Sequence, residues 1–148
     1  MRSSFFIVSA GTILALVAGC EQSDKVSAVG PEARQAISAA ATAHYPGHAR
    51  TSDEVQVAAI NYQEKDYLEL HNLGTQSVPA SNVWVNGTFM SRIEGIAPKS
   101  YVTVKHGALL EAGPATNDLK HLNQPVAKVE IETDRGLYTV QGPTIKRD

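Results

Sequence analysis

The chain of 148 residues contains a single cysteine, so no intrachain disulfide can form and a cysteine-built zinc or iron–sulfur site is excluded. It also lacks a basic excess: 13 Lys and Arg against 15 Asp and Glu give a formal net charge of −2, with a pI near 6.2. Without a basic field, nucleic acid is not an expected partner. No run of like charge is long enough to form a tail. Neither Gly-x-Gly-x-x-Gly nor Gly-x-x-x-x-Gly-Lys occurs, so no phosphate-cradling loop can be nominated. Gly-x-Ser-x-Gly and His-Glu-x-x-His are missing as well. No catalytic residue, resident metal or cofactor is therefore expected. What the chain does have is 43% hydrophobic residues, which excludes wholesale disorder. Its length suits one domain.

The one sustained apolar run, residues 5–18, is interrupted only by Ser9, Gly11 and Thr12, and it follows the basic start Met1-Arg2-Ser3-Ser4. As a helix it would cover about 21 Å, short of a bilayer core of about 30 Å. A basic start, a short apolar stretch and then small residues form the pattern of a secretory signal, expected here over residues 1–19.

The signal closes on Leu16-Val17-Ala18-Gly19-Cys20, which resembles the lipobox of bacterial lipoproteins. The resemblance implies cleavage between Gly19 and Cys20 and a thioether-linked diacylglycerol on the Cys20 thiol. It further implies a membrane anchor of acyl chains, such as palmitate, on Cys20. Two or three such chains hold a protein firmly where one is marginal. Position 21 is Glu21, not the aspartate that commonly retains lipoproteins in the inner membrane. In a two-membrane envelope this implies an outer-membrane lipoprotein facing the periplasm. With Cys20 lipidated, thiol catalysis and a Cys-His-Met copper site are not expected.

Residues 20–30 lack apolar periodicity and read as a flexible tether of about 17 Å. Residues 31–45 read as a short helix. Pro31 suits its first position, Glu32 complements the dipole and alanine is the best helix former. Tyr45-Pro46-Gly47 stops it. Its apolar stripe, with Ile37 the only large aliphatic side chain, suits either light docking on the domain or a stiff spacer.

From there the pattern becomes β, and a domain is expected over residues 51–143. Strands are expected over 55–60, 67–71, 82–87, 89–96, 101–106, 127–132 and 137–140. Asn86-Gly87 is a hairpin signal, and a helical turn around 119–122 sits in the loop 107–125. About seven closely spaced strands without alternating helices predict a mainly β, antiparallel β-sandwich. Leu68 to Gly74, Val83-Trp84-Val85 and the run from Ile96 to Val104 resemble immunoglobulin-like and fibronectin-III-like modules, with Lys99 at a position where such modules often carry glycine. That resemblance implies architecture only.

Candidate site residues emerge from parity. Trp84 opposes Val83 and Val85, so either the tryptophan or the valine pair faces the core. A buried Trp84 would resemble the core tryptophan of immunoglobulin-like sandwiches. An outward Trp84 would join Tyr67 and Tyr101 on solvated faces, where aromatic rings stack on sugars or anchor a partner. Glu130 and Glu132 share a face with Lys128 beside them, which reads as a solvated edge and not a glycosidase pair. His44 and His48 have ligand spacing for a helix, but Pro46 and Gly47 break it. His71, His106 and His121 lie at or beyond strand ends. The expected function is a lipid-anchored envelope lipoprotein whose sandwich is a non-catalytic binding or scaffolding module for an envelope protein or glycan. The competing reading is a small periplasmic enzyme or metal-handling protein using His71, His106 and His121. A third is strand addition to a client at a free sheet edge.

Overall fold

A computed structural model describes residues 30–51, 53–114 and 117–147. Gly19, Cys20 and the signal lie outside the described residues. The chain is a mainly β sandwich of a four-stranded and a five-stranded sheet. One helix, α1 (Pro31–Thr42), precedes it, with proline in its first turn and Glu32 at its positive end. The strands are β1 (Val57–Tyr62), β2 (Tyr67–Asn72), β3 (Ser81–Val85), β4 (Phe89–Ile93), β5 (Tyr101–Lys105), β6 (Leu110–Glu111), β7 (Val129–Thr133), β8 (Gly136–Thr139) and β9 (Gln141–Lys146), with a helical turn α2 (Leu119–Leu122) before β7.

The four-stranded sheet runs β5-β2-β1-β9 and the five-stranded sheet β6-β4-β3-β7-β8. Every pair is antiparallel except β1 with β9. The β3–β4 hairpin turns at Asn86 and Gly87, whose φ values of 56° and 68° are those of a right-twisting hairpin turn. Val57, Leu68 and Leu70 from one sheet meet Val83, Val85, Phe89, Val129 and Ile131 from the other, and each is buried.

Several expectations need correction. The strand predicted over 55–60 forms two residues later, so Tyr62 belongs to β1. The domain does not end at residue 143, because β9 continues to Lys146 along β1. Its Gly142-Pro143 reads locally as a turn, and its partner is more than 80 positions distant. A parallel pairing over that distance leaves no short-range signal.

A further correction concerns Trp84. The tryptophan and the two valines are not alternatives, since all three are buried at 1%, 0% and 0% exposure. The five-stranded sheet is covered on both faces. Val83 and Val85 point between the sheets, while Trp84 points outward into a second cluster with Ala40 of α1, Met90 and Leu137. Tyr45 packs edge-on against Trp84 with ring centroids 5.4 Å apart. The thin helix therefore docks, and the segment after it pairs with β8 through Arg50.

This cover buries Glu130 to 2% exposure, so the expected solvated edge is not observed there. The Tyr45 hydroxyl donates to the carboxylate, with oxygen separations of 2.8 and 3.0 Å, and Lys128 approaches it at 3.1 Å. Glu132 accepts from Trp84 Nε1 at 2.8 Å and from Asn82 at 3.0 Å. A buried carboxylate is tolerated only with such partners. Tyr45→Phe, which leaves Glu130 short of a donor, is expected to lower stability by about 1–3 kcal/mol. Tyr62→Phe should change it by less than about 0.5 kcal/mol, as read from urea midpoints of the two variants.

Candidate functional site: the outer face of the four-stranded sheet

The α1 helix packs on β4 and β6 of the five-stranded sheet. On the other sheet the outward side chains remain half-buried or exposed. Strand alternation sends Ala58, Ile60 and Tyr62 of β1, Tyr67, Glu69 and His71 of β2, and Tyr101, Thr103 and Lys105 of β5 to this face, opposite Leu68 and Leu70. Cross-strand register arranges them in three rows. The first is Lys146–Tyr62–Tyr67–Lys105, the second Thr144–Ile60–Glu69–Thr103, and the third Gln141–Ala58–His71–Tyr101.

Rings occupy the two outer rows. Tyr62 and Tyr67 lie 4.7 Å apart, tilted by 32°, with the Lys65 and Lys146 ammonium groups 5.5 and 5.4 Å from the Tyr62 centroid. His71 stacks on Tyr101 at 5.1 Å, and Tyr101 is 57% exposed. Glu69 holds His71 through Nε2 at 2.9 Å. The result is a surface of aromatic rings with polar neighbours, bordered beyond Tyr67 and Thr103 by an open cleft. Exposed ring faces of this kind can stack on or dock against a partner.

Of the three aromatic candidates, Tyr67 and Tyr101 share this face and Trp84 does not, since Trp84 lies under α1 and Tyr45. Tyr62, Lys105 and Lys146 join them unforeseen. Parity from a strand continued to residue 62 would have found Tyr62. Lys146 depends on the distant β9 pairing. The sheet's edge strands are β5 and β9.

His71, His106 and His121 do not gather. His71 lies beside Tyr101 at one end of β5 and His106 succeeds the other end, about 17 Å away along the strand. His121 is an exposed side chain held by Asp118 at 2.6 Å. Among the described residues, no group of three or more His, Cys, Asp or Glu is placed to hold a metal ion. His44 and His48 lie exposed on the loop after α1.

His106 is instead a buried structural residue. Its ring Nε2 donates to Asn61 Oδ1 at 2.9 Å, and its backbone N–H donates to the Asp66 carbonyl at 2.9 Å. Burial lowers its pKa below 6.5, opposed by Asp66 and helped by the Lys120 ammonium. The unfolded chain therefore binds a proton that the folded chain refuses. The His106 contribution is complete above about pH 6.5 and is lost as the pH falls toward the folded-state value. His106→Gln is expected to reduce the drop in urea midpoint between about pH 7.5 and pH 5, whereas an equal drop in parent and variant would contradict this role.

No protein-family model matches the chain, and no curated protein or solved structure matches it.

Proposed function

We propose that the protein is a lipid-anchored envelope lipoprotein whose β-sandwich is a non-catalytic module that binds or scaffolds an envelope protein or glycan, with the outer face of the four-stranded sheet as its docking surface. One observation carries the second half of this reading. The two outer faces of the sandwich differ: one is sealed by α1, Trp84 and Tyr45, and the other leaves Tyr62, Tyr67, His71 and Tyr101 beside open solvent. Half-exposed rings on a rigid sheet lose little conformational freedom on binding, which favours them as anchors.

The anchor half rests on the sequence alone, in the run from Leu16 to Cys20. No helix among the described residues is long and apolar enough to cross a membrane. On this reading attachment is by acyl chains on Cys20, from the periplasmic side of the outer membrane in a two-membrane envelope. The histidine-based enzyme or metal reading has no supporting geometry, given the separate surroundings of His71, His106 and His121.

Two measurements test the proposal. Radiolabelled palmitate should enter the parent chain and not a Cys20→Ser variant. A parent that takes up no label would end the anchor reading. A photoreactive amino acid in place of Tyr101 should give a discrete adduct with an envelope component in cells, and one in place of the exposed Gln35 on α1 should not. Equal crosslinking from both positions, or none from Tyr101, would remove the docking surface.

A further inference from the structure

Asn86 makes more hydrogen bonds than its place in a hairpin turn requires. Its backbone N–H donates to the Lys128 carbonyl at 2.9 Å. Its Oδ1 accepts from the Ala127 and Lys128 N–H groups at 2.9 and 3.1 Å, and its Nδ2 donates to the Pro125 carbonyl at 2.8 Å. The side-chain amide is therefore a latch between the β3–β4 hairpin and the segment that leads into β7. Asn86 is also the only asparagine in the chain followed by glycine. The Gly87 N–H has no acceptor among the described residues.

An asparagine followed by glycine has a reaction of its own. The Gly87 nitrogen, with no Cβ to obstruct it, can attack the side-chain carbonyl carbon of Asn86. A C–N bond forms, and Nδ2 leaves as ammonia, carrying the proton that the Gly87 nitrogen gives up. Water then opens the resulting five-membered imide at either carbonyl. The product is aspartate, or isoaspartate, in which the main chain runs through the side-chain carbon. Nothing is oxidised or reduced, and water is the only co-reactant. The attack needs the Asn86 amide to swing back over Gly87. In the folded chain it points instead to residues 125–128, on hydrogen bonds that must break first.

We infer that Asn86 is a self-modification site that the folded chain keeps latched and that opening of the hairpin releases. The product cannot re-form the latch. Aspartate has no N–H for the Pro125 carbonyl. Isoaspartate adds a carbon to a turn whose residues hold φ values of 56° and 68°. Either change disturbs the seat of Tyr45, because Gly87 lies beneath that ring and Lys128 donates to its hydroxyl at 2.8 Å. The reaction is a one-way record of opening that loosens the cover over Trp84. It stands apart from the docking surface on the other sheet.

The test holds the full chain in detergent at mildly alkaline pH, either folded or in urea above its midpoint. Mass spectrometry follows the peptide around residue 86. In urea that peptide should gain the mass difference between an amide and an acid. In the folded chain the conversion should be about tenfold slower or more. Leu73→Asn creates a second Asn-Gly step in an exposed turn, and this new site should convert in the folded chain faster than Asn86. Equal rates for Asn86 in the folded and unfolded chain, or no conversion in urea, would overturn the inference. Chain converted in urea and then refolded should show emission from Trp84, its only tryptophan, at longer wavelength than the parent. Asn86→Ala cannot react, so the same treatment should leave its emission where it was. An unshifted Trp84 emission after full conversion would end the claim that the latch seats Tyr45.

Discussion

The contact on which the asymmetry of this molecule depends is the one between the Tyr45 hydroxyl and the buried Glu130 carboxylate, at 2.8 and 3.0 Å. A carboxylate at 2% exposure is costly unless donors surround it, and Tyr45 and Lys128 are those donors. Tyr45 is also the ring against which Trp84 packs. One residue past α1 therefore performs two tasks: it completes the polar shell of Glu130 and shields the largest apolar side chain on that face. Lys128 is drawn into the same cluster, and its pKa is raised by the Tyr45 hydroxyl and Glu130. The alanine-rich helix has few large side chains of its own; it is held by buried Ala40, whose carbonyl accepts from the Gly113 N–H at 3.0 Å, together with the Tyr45 contacts just beyond its C-terminus. Gly87 sits beneath the same ring, where a Cβ would lie 3.2 Å from Tyr45. The hairpin glycine is thus favoured twice, by its φ of 68° and by this close approach.

Sealing one face makes the other conspicuous. A sandwich has one shared core and two outer faces, and each outer face must be either polar, covered or used. In the five-stranded sheet the outer face is apolar around Trp84, Met90 and Leu137, and it is covered. The outer face of the four-stranded sheet mixes tyrosines with lysine, glutamate, threonine and histidine. That composition is soluble without a lid, and it leaves ring faces in reach of a partner.

Much of this is legible in the chain. The alternation of Leu68 and Leu70 with Tyr67, Glu69 and His71 places both faces of β2 correctly, and Asn86-Gly87 marks the β3–β4 hairpin. Trp84 shows where parity stops. Alternation tells which residues share a face, but whether a face is buried depends on what lies over it, and here both faces of β3 are covered. The same omission makes Glu130 look like a solvated edge residue, since its cover comes from Tyr45, 85 positions away. The β9 strand is hidden for another reason. Gly142-Pro143 has the local chemistry of a turn, and the strand exists because β1 offers an unpaired edge. The three histidines look equivalent along the chain, yet one is stacked, one is buried and one is exposed.

The buried His106–Asn61 pair belongs to the same economy of positions. Its partner Asn61 is the inward neighbour of Tyr62, and His106 comes directly after Lys105. The His106 backbone is fastened to the Asp66 carbonyl, and the Asp66 side chain holds Lys120 at 2.7 Å. One interior hydrogen bond at 2.9 Å therefore ties down the main chain beneath Tyr62, Lys105 and the turn that carries Lys65 and Asp66. Long lysine side chains are flexible, but the spacing between their anchoring points comes from the backbone. A hydrogen-bonded polar pair in the core fixes that spacing, and burial favours the uncharged imidazole there. This is why His106 is better understood as the support under the lysine-rich end of the face than as a member of a metal site.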